Sequence, residues 1–274
     1  MLIPIMIGLS VVAYFVVQEL DQDPFEGVVW SWSATTWMVV ALLMVACRDV
    51  GYMYRLRVLT DKAISWRRAF DVIMLWEFAS AITPSIVGGS GVAIFIVHRE
   101  GLSVGRSTAV VMVTAFLDEL FYVVMVPIVL LMVGMDAAFP ANLQQDFLGL
   151  GVKGVFLAGY LFIVLLILLI VFGIFIHPKG SRALLINLFR LPLLRRWKAA
   201  AARTGDELII TSAEMRGKNA RFWFKVTAAT FLSWTARFWI VNFLILAFTA
   251  VPLGIAENFL IYARQLSMWV ILLI

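Results

Sequence analysis

One cysteine, Cys47, and two histidines, His98 and His177, occur in 274 residues. A lone cysteine excludes a disulfide within the chain, and so small a supply of thiol and imidazole excludes multi-cysteine and histidine-rich metal centres. Charge is scarce as well: Asp, Glu, Lys and Arg make up 14% of the chain, where about 25% is usual. Hydrophobic residues stand in their place at 63%. Several nearly charge-free runs of about 18 or more residues are too many for a soluble core to absorb. What remains is an all-α polytopic membrane protein. There is no nucleotide-binding motif and no His-Glu or Asp-rich ligand spacing, so no cofactor and no metal are expected. The net charge of +5 calls for no nucleic acid, because basic loops on one side of a membrane explain it.

Hydropathy places spans at roughly 2–18, 28–47, 107–134, 152–176 and 222–248, with further apolar segments at 70–98 and 258–274. Arg48, Arg55, Arg57, Lys62, Arg67 and Arg68 fall within 48–68, and ten more bases lie between Lys179 and Arg221. Cytoplasmic loops carry such an excess, so both stretches are assigned to that side. The connections 19–27, 135–151 and 249–257 are acidic and are assigned outside.

Parity then makes 70–98 enter and leave on the cytoplasmic side. Its apolar first half is interrupted by Thr83-Pro84-Ser85-Ile86-Val87-Gly88-Gly89-Ser90-Gly91. About 13 helical residues reach only ~20 Å, near mid-bilayer. The segment is therefore read as a re-entrant hairpin whose tip lines an internal site, since non-helical backbone at that depth must be buried in protein or face water.

The second half repeats the order in inverted orientation: span, span, then 258–274 in the place of a hairpin from outside. Ala46-Cys47-Arg48-Asp49-Val50 aligns with Thr235-Ala236-Arg237-Phe238-Trp239. Residues 1–135 make a first repeat and 136–274 a second, incomplete one that holds a basic cytoplasmic loop at 177–221. The chain stops while still apolar and is read as truncated at its C-terminal part. Inverted repeats with broken helices meeting at the midplane are a common build of secondary transporters.

The run from Thr83 through Gly91-Val92, then His98-Arg99-Glu100-Gly101-Leu102-Ser103-Val104-Gly105-Arg106 and Phe116-Leu117-Asp118-Glu119-Leu120, resembles the lysylphosphatidylglycerol synthase transmembrane (flippase-like) family. The stretch from Arg48 to Arg57, with Ile64-Ser65-Trp66-Arg67-Arg68-Ala69-Phe70, is similar to that family's second span and loop. The resemblance implies movement of a phospholipid or other lipid-linked anionic headgroup between leaflets of a bacterial inner membrane. It implies no enzyme activity in this chain, since the family's transferase chemistry belongs to a separate soluble domain. The partners expected are anionic phospholipid headgroups, with a second copy of the chain or a separate lipid-modifying enzyme left open.

Ionisable side chains at membrane depth are costly and are functional candidates by default. Glu77, Asp118 and Glu119 are candidate proton carriers or ion-pair partners, and Arg237 or Arg264 is the expected partner for Asp118 or Glu119. Substrate contacts are expected from Pro84, Gly88, Gly89, Ser90, Gly91, Arg48, Arg237 and Arg264. A half-helix beginning near Ser90-Gly91 would turn its positive end toward an anion. The run Arg190 to Lys198 is expected to lie on the anionic inner leaflet. Two alternatives stand beside transport: an accessory subunit of a lipid or envelope pathway, and a hydrolase using Ser90 in Gly88-Gly89-Ser90-Gly91. The second lacks a base, as His98 lies about 12 Å along the same helix.

Overall fold

The computed structural model describes residues 31–82, 86–139, 151–177, 179–180, 183, 187, 198–248 and 253–272. The predicted span 2–18 and Pro84 lie outside them. Among the described residues every regular element is helical. The helices are α1 (Trp32–Leu59), α2 (Trp66–Ile82), α3 (Ile86–Arg99), α4 (Val104–Val133), α5 (Met135–Ala138), α6 (Val152–Val171), α7 (Lys198–Arg216), α8 (Ala220–Phe248) and α9 (Ile255–Leu272). A π-helical turn, Phe172–Ile176, continues α6. Helices α1, α4, α6 and α8 are long and apolar enough to cross a membrane, and the chain is a polytopic helical membrane protein.

Helix starts follow local capping chemistry. The first four N–H groups of a helix have no intrahelical acceptor, and a Ser or Asn side chain just upstream supplies one. Ser31 Oγ accepts from the Ala34 amide at 3.1 Å, Ser65 Oγ from Arg68 at 3.4 Å, and Ser103 Oγ from Arg106 at 3.2 Å. Asn219 Oδ1 accepts from Phe222 at 2.9 Å to open α8. At α9 the Gly254 amide donates to Glu257 Oε2 at 2.7 Å, the acidic half of a capping box.

Helices α1 and α8 run antiparallel along one another. Trp37 stacks on Phe243 near one end, while further along Arg48 and Gly51 meet Ser233, and Arg55 meets Thr230. Gly51 allows the approach, since a Cβ there would stand 2.1 Å from Ser233 Oγ and 3.2 Å from the Ala229 carbonyl oxygen. Helices α2 and α3 pack on each other, and Arg68 at the start of one reaches Glu100 beyond the end of the other at 3.4 Å. Both open ends lie at the end of the molecule where Asp61 meets Arg106 and Lys218, at 2.8 Å and 2.6 Å.

The apolar core falls in two layers. The layer near that end contains Leu56, Leu59, Val72, Val97, Val110 and Met215. The other contains Phe121, Phe156, Trp234, Phe238, Tyr262 and Leu266.

Four expectations need correction. The second span does not end at 47, because α1 continues to Leu59 and carries Arg48 and Arg55 within helix rather than loop. The side-chain partners described below remove the reason for ending it where charge begins. The helix after the break starts at Ile86, not near Ser90-Gly91, so Gly88, Gly89 and Gly91 lie inside α3. Glycine costs an exposed helix about 1 kcal/mol relative to alanine, a cost tolerated in membrane helices, where glycine is common. The basic stretch 177–221 is not wholly loop: α7 packs on α4, burying Ser212 and Met215. Of the run Arg190 to Lys198, only Lys198, which opens α7, is among the described residues. Finally, the last helix begins at Ile255 rather than Asn258.

Candidate functional site

By helix rise Asp118 sits about 21 Å into α4, well inside a helix long and apolar enough to cross a membrane. It is not alone there. The Arg55 guanidinium from α1 grips it in a fork: Nη1 donates to Oδ1, and Nη2 to Oδ2 at 3.3 Å. Trp234 Nε1 from α8 donates to Oδ1 at 2.7 Å. Arg55 Nη1 also donates to Thr230 Oγ1 at 3.1 Å, and its charge lies 5.1 Å from the centre of the Tyr52 ring. Arg55 is 5% exposed, so its charge is carried by these contacts. Three helices are thus joined at one depth by a network, which is strong because its bonds are charge-assisted and nearly complete.

The expected partners of Asp118 were Arg237 and Arg264; both are engaged elsewhere. Arg264 donates from Nε and Nη2 to the Ala137 carbonyl, at 3.2 Å and 3.1 Å, tying α9 to α5. Arg237 lies beside two indoles, 5.2 Å from the Trp234 ring and 5.3 Å from Trp269 of α9. Among the described residues no carboxylate forms an ion pair with it, and its charge is felt at Tyr52, Tyr122 and Glu77. Indole faces stabilise a guanidinium without neutralising it, and the Tyr52 hydroxyl is a further hydrogen-bond neighbour of Arg237.

Arg48 has the opposite environment. Its Nε donates to Asp49 Oδ1 and its Nη2 to Glu77 Oε2, each at 2.8 Å. Glu77 belongs to α2, so this pair fastens the first hairpin arm to α1. Among the described residues Glu77 Oε1 is buried without a hydrogen-bond partner. Glu119, one position on from Asp118, forms no ion pair among the described residues, and its Oε2 is likewise buried and unpartnered.

Gly91 is exposed with open space where a Cβ would be, while the side chain of Ser90 lies outside the description. His98 Nδ1 is 2.6 Å from the Leu102 carbonyl oxygen, serving the hairpin's end rather than a serine. Among the described residues no three His, Cys, Asp or Glu side chains gather as a metal site.

A second polar node joins α8 to α9. Asn242, fully buried, donates to the Asn258 carbonyl at 2.6 Å and accepts from Gln265 Nε2 at 2.8 Å. At the far end of the molecule from Asp61, Lys153 donates to Asp136 at 2.6 Å. That hydrogen bond first, and the lysine charge second, hold the Asp136 carboxyl below its ordinary range.

Arg55, Tyr52, Thr230 and Trp234 were not foreseen. A signal existed: Arg48, Gly51, Tyr52 and Arg55 are spaced by three, one and three residues, which sets them on one helical stripe once α1 is allowed to continue. The charges had marked the helix's end instead.

The model of the lysylphosphatidylglycerol synthase transmembrane region matches residues 1–274. A membrane protein of Archaeoglobus fulgidus, described as a UPF0104 membrane protein, is 25% identical over 116 residues, covering 41% of this chain and 35% of that protein. The match therefore spans about a third of that relative's length. No solved structure matches the chain. With a family model that covers every residue, the chain belongs to the lysylphosphatidylglycerol synthase transmembrane-region family.

Proposed function

We propose that the protein is a flippase-like lipid transporter of the bacterial inner membrane, which passes an anionic phospholipid headgroup between leaflets by way of Arg237. The observation that carries this reading is the contrast between two arginines that occupy matching places. Arg48 in α1 faces the first hairpin arm through Glu77, and Arg237 in α8 faces α9 through Trp269. The first is neutralised by a carboxylate; the second has the Trp234 and Trp269 rings and the Tyr52 hydroxyl beside it, and no carboxylate ion pair among the described residues. A membrane-embedded cation without a carboxylate partner is costly unless an anion visits it, and a phosphate diester offers two oxygens to the guanidinium edge.

The same correspondence supports the inverted repeat. In this reading α2 and α3 form a re-entrant hairpin from the cytoplasmic side, and α9 enters from the other, so that both approach Arg237. Alternating access then consists of one repeat rocking against the other. Glu119 is a buried carboxylate with no ion pair to break among the described residues, which makes it the candidate for coupling to a proton gradient. The protein acts as a transporter rather than an enzyme.

The test is lipid translocation in vesicles containing the full-length protein and fluorescent phosphatidylglycerol, read by dithionite quenching of the outer leaflet. The wild type should expose inner-leaflet probe faster than empty vesicles, and Arg237→Gln should lose that excess. Equal rates for wild type and empty vesicles, with and without a proton gradient, would reject transport of this lipid. An accessory subunit would show no translocation under any of these conditions.

A further inference from the structure

We infer that Arg48 is a second headgroup station, which Glu77 occupies as an internal stand-in for the anion while lipid is absent. The inference rests on the transport reading above and extends it to a site that reading does not use. The geometry is that of an exchangeable ligand. Asp49, the next residue, binds Arg48 Nε and also stands 2.8 Å from Nη2, so the guanidinium stays anchored when a partner leaves. Glu77 contributes one oxygen to it, at 2.8 Å, while its other oxygen is buried with no partner among the described residues. A carboxylate held by one contact, with its second oxygen desolvated and unpaired, is poorly compensated. A phosphate diester presenting two oxygens to the same guanidinium makes the better pair. Both side chains keep partial exposure, 18% for Arg48 and 32% for Glu77, so the contact is reachable.

Displacement has a mechanical consequence. Glu77 lies on α2, and its bond to Arg48 ties that arm to α1 at depth. When an anion takes Arg48, the tie is released while α1 stays fastened to α4 and α8 through Arg55. Occupancy of the station is thereby linked to freedom of the hairpin. Because the covered state must be opened first, the apparent affinity of Arg48 for lipid is lowered by the fraction of time Glu77 occupies it.

The experiment is calorimetric titration of the full-length protein in detergent with dihexanoyl phosphatidylglycerol. Glu77→Gln should bind about tenfold tighter or reveal a second binding event, as expected if the covered state predominates about ten to one. Adding Arg48→Gln to that variant should abolish the gain. A Glu77→Gln isotherm that matches wild type, or a gain that survives Arg48→Gln, overturns the inference. Hydrogen exchange on the wild type supplies a second reading if the variant does not fold. Added lipid should speed exchange of the α2 amides relative to those of α1, and an unchanged ratio overturns the inference. In the titrations wild-type binding reports Arg237 and the Glu77→Gln gain reports Arg48, so the two readings fail separately.

Discussion

Tyr160 of α6 donates its hydroxyl hydrogen to the Val123 carbonyl of α4 at 3.0 Å, and Val123 is the residue whose helical partner Pro127 removes. Proline has no N–H to offer the carbonyl four residues before it. In lipid that oxygen would otherwise be unsatisfied, at a cost of several kcal/mol. Tyr160→Phe should therefore destabilise the protein by about 1–2 kcal/mol. In a Pro127→Ala background the same change should cost less than half as much, because residue 127 again donates to Val123. Thermal denaturation of the four proteins in the cycle measures this.

The fork between Arg55 and Asp118 is structural first. Asp118→Asn leaves Arg55 buried without its counter-charge and should cost about 3 kcal/mol, visible as a lowered melting temperature. Arg55→Met combined with Asp118→Leu should recover only part of that loss, since the buried charge is gone but Trp234 Nε1 loses its acceptor. Glu119→Gln should leave the melting temperature near wild type and reduce gradient-driven translocation.

Gly51 sets the distance between α1 and α8. Gly51→Ala places a methyl group into Ser233 Oγ and close to the Ala229 carbonyl, and overpacking of this kind costs about 1–3 kcal/mol. Ser233→Ala should relieve part of the penalty in the double variant. Chemical denaturation in mild detergent checks both.

Much of the fold was legible because hydropathy is a direct reading of lipid exposure. The spans predicted at 107–134 and 222–248 became α4 and α8 with ends shifted by at most three residues. Serine and asparagine caps also mark several helix starts in the sequence itself. The end of α1 was illegible for a physical reason: Arg48 and Arg55 look like loop charges until Glu77 and Asp118 are placed beside them, and those partners lie 29 and 63 positions away in the chain. The role of Arg237 was half visible. Its depth singled it out, whereas the indoles that hold it come from its own turn and from α9, thirty-two positions on, which no local pattern connects. The glycine run had drawn attention because glycine so often marks a break, yet α3 passes through it.

The central claim is that helical arms enter from opposite faces and approach each other near Arg237. Sided labelling of single cysteines at Ser103 and Ile255, in a Cys47→Ala background of the full-length protein in sealed vesicles, tests it most directly. Ser103 caps the helix that follows the hairpin, and Ile255, 92% exposed, opens α9. The account predicts that Ser103 labels only from the cytoplasmic side and Ile255 only from the other. Labelling of both from the same side would contradict it, because the two arms would then share one entrance and no inverted repeat would stand.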